Sequence, residues 1–504
     1  MVSPSAEKTP SEGWRGDDSE EVDTSLRAAA AVTMPGRGDA DAVKAPGVRA
    51  RAGSGVDGRW RLVALGGAVL VGTVLRCWRL GAGMLSFDEA FTAAAARLPP
   101  ARLFAFLRRF DTHPPLDYLI RRPAALSGAS ALWLRLPSAL CGVAALGVGA
   151  WWWRRHGRVG VVTTWLFALS SFAVTYAHEA RMYAGLGLAG ITAAAAAERW
   201  LEEPDRIGPL VAVTLALLGA LLLQGGAGMA VFGVIAVAGG RRDAAAWRWR
   251  GAVVCAVAGW GICWGPAFLA QLRHGPGQWI PLTSLTSAPR AVNELVDSYP
   301  SLALVAVPMV VLGGMLLRPA PLRRVWWTVG AGSMVVPLAV GLHAHVLLPR
   351  TMAFGAWAPA LAMAAVIDAA VVRSRPVAAG VASLVLAVAG PSAIDAARPE
   401  VAPHAAAFAA VRRAARPGDE VLVRPAFLAP LVDWYFGTWW WPGGRDVQRE
   451  DIHAAGTTIG GGAPSGRAWV VVPVSYPGPS PGVAPCAPPA PAGPYTVYCI
   501  SDAH

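Results

Sequence analysis

Leu116-Asp117-Tyr118-Leu119-Ile120-Arg121-Arg122-Pro123-Ala124-Ala125-Leu126-Ser127 is half apolar, yet two adjacent arginines and a proline sit at its middle. A bilayer span needs roughly 20 mostly apolar residues, and two arginines at mid-bilayer would cost several kcal/mol. The stretch therefore reads as a helix lying on the membrane surface and not as a span. That choice sets the topology of everything after it. With 116–127 outside the bilayer core, the clusters Arg154/Arg155/Arg158, Arg241/Arg242/Arg248/Arg250, Arg318/Arg323/Arg324 and Arg373/Arg375 all fall on the inner face, where basic loops belong. If it spanned, all four would fall outside.

A membrane protein is also what composition demands. Of 504 residues, 54% are apolar or aromatic and only 15% charged, with a mean hydropathy of +0.43. A soluble chain cannot hide so much apolar surface. The net charge of +12 does not imply nucleic acid, because the arginines come as short groups between apolar windows. Of six cysteines, Cys77, Cys141, Cys255 and Cys263 lie in apolar windows and read as packing residues. Cys486 and Cys499 lie in the polar C-terminal segment, where a disulfide fits an extracytoplasmic location. No cysteine has metal-site spacing.

Residues 1–58 are rich in Ser, Gly, Pro and charge and read as a disordered cytoplasmic tail. Arg59 and Arg61 precede a first span at Leu62–Leu80, which then runs from inside to outside. Residues 81–132 form the first outer loop, in which the segment 100–110 also reads as an interfacial helix, with Leu103, Phe104, Phe106 and Leu107 set against Arg102, Arg108 and Arg109. Further spans follow at 133–153, 159–176, 183–198, 209–224, 225–240, 251–272, 301–317, 325–347, 353–372 and 377–395, about eleven in all. Residues 59–395 thus form the membrane domain, and 396–504 a small extracytoplasmic α/β domain. In it, a helix over 403–415 leads to a buried strand at 419–424, with further strands at 468–474 and 495–500 and a Pro/Gly-rich loop at 477–494. The run Asp433-Trp434-Tyr435-Phe436-Gly437-Thr438-Trp439-Trp440-Trp441 reads as a sugar-stacking platform, an interface belt or plain core.

Under this topology the candidate functional residues gather on one face. Asp88 and Glu89 follow the first span, where paired carboxylates are expensive unless used. A carboxylate at the membrane rim can act as general base for a hydroxyl arriving from water, and Asp88 is the candidate. The same pair would also cap a helix beginning at Ala90, and the two roles are compatible. His113 lies in the same loop before Pro114-Pro115, as a site or turn residue. His178, Glu179, Arg181 and Tyr183 form the outer turn between the third and fourth spans, as site residues or an interfacial ion cluster. Gln224 lies at another outer turn. Arg350, near His343 and His345, suits a phosphate through its bidentate fork, or snorkels to the interface.

The ordered motifs Phe87-Asp88-Glu89-Ala90, His113-Pro114-Pro115-Leu116, Leu134-Arg135-Leu136-Pro137-Ser138-Ala139-Leu140 and Glu179-Ala180-Arg181-Met182-Tyr183 resemble the bacterial family 39 branch of the GT-C glycosyltransferases. These are relatives of protein O-mannosyltransferases and of the lipid A aminoarabinose transferase. The resemblance covers residues 60–380. It implies a polytopic α-helical fold, a polyprenyl-phosphate sugar donor with mannose as the expected sugar, inversion at the anomeric carbon, and a site on the extracytoplasmic face. The acceptor is a glycan, lipid or protein. Carried over, Asp88 takes the acceptor proton, Glu89 helps hold donor or acceptor, Glu179 and Arg181 line the site, and Arg350 matches the arginine of a late Arg-Tyr motif in which Thr351 here replaces Tyr. Gln224 stands where many relatives carry His, and Asp117 replaces an aromatic residue. No cofactor is required, although two adjacent carboxylates leave a metal open. The alternative is a lipid-linked sugar flippase or transporter without transferase activity, whose polar residues would lie near the bilayer midplane in broken helices.

Overall fold

The structure is a computed structural model, and it describes residues 55–128, 130–274, 280, 282–284, 288, 295, 303–399, 402–416, 419–423, 429–436, 455–458, 467–474 and 485–501. Residues 1–54 of the expected tail, 437–441 of the aromatic run and 477–484 of the expected loop lie outside these.

The first helix, α1 (Gly55–Cys77), ends where Arg79 and Gly83 take positive φ and turn the chain into the loop expected to lie outside. That loop holds three short helices, α2 (Phe87–Arg97), α3 (Pro100–Phe110) and α4 (Leu116–Leu126). Each has 11 residues, about 16 Å of helix against the roughly 30 Å of a hydrocarbon core. None can span, as the arginine pair of α4 requires. The arginines are nonetheless engaged by protein. Arg121 is buried and clasps Asp117 one turn earlier, and Arg122 donates to the carbonyls of Ala96 (2.8 Å) and Leu98 at the end of α2. The sequence reading did not foresee that protein would fold over them. The alanine run Ala93–Ala96 makes α2 a strong helix, and its small side chains let α4 pack close.

The membrane domain continues through α5 (Ala131–Trp153), α6 (Gly157–Ala168), α7 (Ser171–His178), α8 (Tyr183–Glu202), α9 (Ile207–Leu223), α10 (Gly228–Ala236) and α11 (Ala244–His274). The span expected at 159–176 is broken at Leu169-Ser170. Arg76 of α1, fully buried, caps the end of α6 by donating to the carbonyls of Phe167 (2.9 Å) and Ala168 (3.0 Å), and Ser170 accepts from the Ala173 amide to start α7. After α12 (Ala303–Leu316) come α13 (Ala320–Val325), a π-helical turn at Trp326–Ala331 and α14 (Gly332–Gly341). A 3₁₀ turn at Pro349–Gly355 then meets α15 (Ala358–Arg373) at 61°, and α16 (Arg375–Ala396) follows. Among the described residues, Gly58–Cys77, Ala131–Ala168 and Ala244–Arg273 are helical stretches long and apolar enough to cross a membrane, and the bent pair Pro349–Gly355 with Ala358–Arg373 is long and apolar enough only when taken together, as a broken span or a re-entrant loop.

The C-terminal region has a helix, α17 (Ala405–Ala414), then strand β1 (Glu420–Val423), α18 (Ala429–Phe436), β2 (Ala455–Thr458), β3 (Arg467–Pro473), β4 (Pro485–Ala492) and β5 (Tyr495–Ser501). The sheet order is β2-β1-β3-β5-β4, parallel between β1 and β3 and otherwise antiparallel. Part of the expected loop at 477–494 is in fact β4. Its prolines donate no ladder bonds, so it is confined to the sheet edge, and its register against β5 shifts twice. Cys499 is disulfide-bonded, while Cys77, Cys141, Cys255 and Cys263 are free. Helix α18 packs on α2. The Tyr435 hydroxyl accepts the Leu85 amide, and Arg97 lies 5.0 Å over the Trp434 ring. One apolar core joins Leu85, Ala90 and Leu107 of the loop after α1 to Phe408, Val421 and Leu431 of the C-terminal region.

Candidate functional site

Asp88 and Glu89 are neighbours in sequence, and the helix sends them to different work. Ser86 opens α2 with a capping box: its hydroxyl accepts the Glu89 amide, and Glu89 Oε2 accepts the Ser86 amide at 2.8 Å. Glu89 is buried, and its oxygens also accept Arg135 Nε (2.7 Å), Arg135 Nη2 (2.9 Å) and the Ala180 amide (2.8 Å). Arg135 meanwhile donates to the carbonyls of Leu80 (3.2 Å), Ala82 (2.8 Å) and Met84 (3.1 Å). The pair thus fastens the end of the first span, the start of α2 and the turn before α8 to one point on α5.

Asp88, a residue earlier, is partly open. Its Oδ2 accepts Arg350 Nη1 at 2.7 Å, with 29% of the aspartate side chain and 23% of the arginine's exposed. The Arg350 guanidinium lies 5.6 Å over the Tyr183 ring. What brings Arg350 here is the packing of the 349–355 turn on α8. At Gly190 a Cβ would stand 1.8 Å from the Phe354 carbonyl oxygen, so only glycine allows the approach.

Behind Asp88 lies Arg181, buried, donating to Thr92 Oγ1 at 2.8 Å, while Thr92 donates to the Asp88 carbonyl. Arg181 lies in the fields of Tyr183, Tyr118, Asp88 and Asp111, which hold its pKa above the ordinary value although burial works the other way. Its Nε finds no partner among the described residues. Glu179 is partly open to the site but shielded by protein around it. Burial pushes its carboxyl up to about 7; Glu89 and Asp88 add to the rise, and Arg181 and Arg350 oppose it. Asp111 is the opposite case. Burial alone would raise it, but His113 (2.8 Å), Arg181 and the Tyr118 hydroxyl bring it down to about 2. The site is therefore one electrostatic cluster of Asp88, Arg350, Arg181, Glu179, Tyr183 and Asp111, with two buried or half-buried guanidiniums.

Of the residues singled out in the sequence, Asp88, Glu179, Arg181, Tyr183 and Arg350 come together. His113 stands at the edge, paired to Asp111. Glu89 lies beside them with its oxygens already occupied by four donors. His178 turns away, its Nε2 2.8 Å from the Leu75 carbonyl of α1. His343 is exposed, and His345 bonds the Ile280 carbonyl. Sequence reading gave no role to Arg135, Arg121, Asp111 or Tyr118. For Arg135 a signal existed, since a lone arginine inside an apolar 23-residue helix must be paired or functional. Among the described residues, no group of three or more His, Cys, Asp or Glu gathers to hold a metal ion.

No family model matches this chain, and no curated protein sequence matches it. Among solved structures it is similar to ArnT from Cupriavidus metallidurans bound to undecaprenyl phosphate, with a TM-score of 0.56 at 14% identity over 88% of this chain and 98% of that one. The apo state of ArnT superposes with a TM-score of 0.55 at the same identity and coverage. At 14% identity the likeness is one of fold. The chain has the GT-C fold, a polytopic helical membrane protein with a small sheet.

Proposed function

We propose that this chain is an inverting glycosyltransferase that moves a sugar, mannose in the first instance, from a polyprenyl-phosphate donor to a hydroxyl of a glycan, lipid or protein. The site faces outward, with the N-terminus cytoplasmic and the C-terminal domain extracytoplasmic. The observation that carries this reading is the Asp88–Arg350 pair, half-open beside the buried Arg181. A carboxylate able to take a proton and two cations able to hold a phosphate are the parts such a transfer needs. The undecaprenyl phosphate bound by ArnT, on the same fold, supports a lipid-phosphate donor.

The donor phosphate draws the Arg350 guanidinium from Asp88, since a phosphate offers the same bidentate acceptors with more charge. Asp88, released, accepts the acceptor O–H proton as that oxygen bonds to the anomeric carbon. The bond from this carbon to the phosphate oxygen breaks, and the lipid phosphate leaves with the electron pair. Negative charge grows on the phosphate in this step, and Arg181 and Arg350 stabilise it there in a water-poor setting. Arg181 is held by Thr92 and so needs little reorganisation. Glu89 acts through the backbone, holding α2 and the 179–182 turn at a fixed spacing. Asp88, Thr92 and Arg181 lie on the short helix α2 and in the turn before α8, which favours this scheme over a flippase, with Arg350 supplied by the bent segment that precedes α15.

The test is transfer of radiolabelled mannose from polyprenyl-phosphate mannose in membranes carrying wild type or Asp88→Asn at equal levels. Removal of the base lowers the rate by about 10²–10⁴-fold. Undiminished transfer by Asp88→Asn removes Asp88 as the base.

A further inference from the structure

Arg181 projects from a three-residue turn whose backbone is tied at each successive peptide group. The Ala180 amide donates to Glu89 Oε1 at 2.8 Å, and the Arg181 amide closes a γ-turn onto the Glu179 carbonyl at 2.7 Å. The Arg181 carbonyl then accepts two further bonds, from Arg121 Nη2 at 2.9 Å and from the Ser138 hydroxyl at 2.8 Å. Arg121 Nη2 also donates to Ser138 Oγ at 2.8 Å, so the hydroxyl hydrogen is left for the carbonyl and the three groups close a triangle. Arg121 is itself held fast. It is 1% exposed, its Nε meets both oxygens of Asp117 at 3.1 and 3.0 Å, and its Nη1 donates to the Leu134 carbonyl of α5. Asp117, one turn earlier on α4, is buried and has Arg121 as its ion-pair partner.

A buried ion pair is a poor source of stability, since two well-packed apolar side chains of similar volume serve a core as well. What Asp117–Arg121 supplies that apolar residues cannot is a directed donor at a fixed point. Its aim is the peptide plane that follows Arg181. The plane before it is set by the γ-turn, and the two planes together fix the direction of the Arg181 Cα–Cβ bond. The guanidinium at the end of that side chain is buried and reaches Thr92 Oγ1, which donates to the Asp88 carbonyl. A cation that is to meet a phosphate must stand in place before the phosphate arrives, and an error of about 1 Å there can cost about 100-fold in rate. Arg121 acts on this cation through the backbone alone, from another helix and 60 residues away.

We propose that Arg121, oriented by Asp117 and seconded by Ser138, is a positioning residue that aims Arg181 at the donor phosphate. This rests on Arg181 as a phosphate ligand in the proposed function, and not on sugar transfer. The probe is geranyl phosphate, a short water-soluble polyprenyl phosphate, titrated calorimetrically into the full chain in nanodiscs, with the folded fraction taken from thermal unfolding. Arg121→Met/Asp117→Leu removes both charges together and strands neither. It weakens binding about tenfold, the loss of one well-placed charged contact. Ser138→Ala takes away one of the two donors on the carbonyl and no charge; it weakens binding about threefold, and decides the matter in the same cycle if the paired variant does not fold. In an Arg181→Gln background, where Arg350 still binds phosphate, the same substitutions change affinity by less than about twofold, because their target is already gone. A merely structural role moves the unfolding temperature and gives equal losses of affinity in both backgrounds. That result, a wild-type affinity in the variants, or no binding by wild type overturns the positioning role. If the cycle couples and no mannose moves from polyprenyl-phosphate mannose, the transferase reading falls and the positioning role stands. If mannose moves and the cycle is additive, the reverse holds.

Discussion

Arg135→Met separates the clamp from the chemistry. The substitution keeps most of the apolar stem and removes five hydrogen bonds: two to Glu89 and one each to the carbonyls of Leu80, Ala82 and Met84. Glu89, 3% exposed, is left as a buried anion with only the Ser86 and Ala180 amides. Breaking a buried ion pair from one side costs about 3–5 kcal/mol, mostly through the stranded charge. Removing both charges in Arg135→Met/Glu89→Met takes that penalty away; the three carbonyls lose their donor in either variant, so the double variant adds only the loss of the acceptor for the Ser86 and Ala180 amides, about 1 kcal/mol each. The double variant is therefore expected to be more stable than Arg135→Met alone, although it carries one more change. Thermal unfolding of purified protein in nanodiscs gives the order wild type, double variant, single variant. Under the proposed function, sugar transfer gives another order: both variants lose most of their activity, because Asp88 sits on a helix whose start is no longer held to the 179–182 turn. A single variant that melts within about a degree of wild type, or a double variant below it, refutes the clamp. Full activity in the double variant refutes the positioning of Asp88 through it.

Three further outcomes follow from the geometry. Glu179 ionises near 7, raised by burial, so below that pH the carboxyl is neutral and the two arginines are less compensated; donor binding tightens as pH falls through 7, and Glu179→Gln holds the tight value at every pH, both measurable by donor titration. Gly190→Ala sets a methyl 1.8 Å from the Phe354 oxygen and must displace the turn carrying Arg350; overpacking costs about 1–3 kcal/mol, and the donor KM rises while a control at Gly208, where a Cβ meets nothing within 4 Å, changes neither. Tyr435→Phe strips the partner from the Leu85 amide, three residues before Asp88, at about 1–3 kcal/mol; kcat falls severalfold with donor KM unchanged, and an unchanged kcat removes the C-terminal domain from the positioning of Asp88.

How much of this was legible in the sequence depends on what kind of force places each group. The hydrocarbon core is a uniform solvent, so its demands can be read locally: Arg121-Arg122-Pro123 forbade a span at 116–127, and α4 there is an 11-residue helix too short to cross. Asp88, Glu179, Arg181 and Arg350 were likewise visible as charges at the rim of apolar segments. Local reading failed where a charge is satisfied by distant protein. Arg121 bonds the Arg181 carbonyl across 60 residues, and Arg135 reaches Glu89 across 46, so nothing near either arginine announces its partner. The same limit split Asp88 from Glu89. Both looked alike as paired acids beside a membrane, and only the 100° turn per residue of α2 puts one under Arg135 and the other beside Arg350. Edge strand β4 was missed for a related reason, since a proline-rich stretch is strand only if a partner such as β5 supplies the donors it lacks. A site built on a helix N-terminus in a loop then has a physical advantage. The capping box and the Arg135 clamp fix the backbone through Glu89, so the adjacent Asp88 is left with Arg350 as its ion-pair partner, and under the proposed mechanism it releases that arginine to a phosphate without loosening the fold.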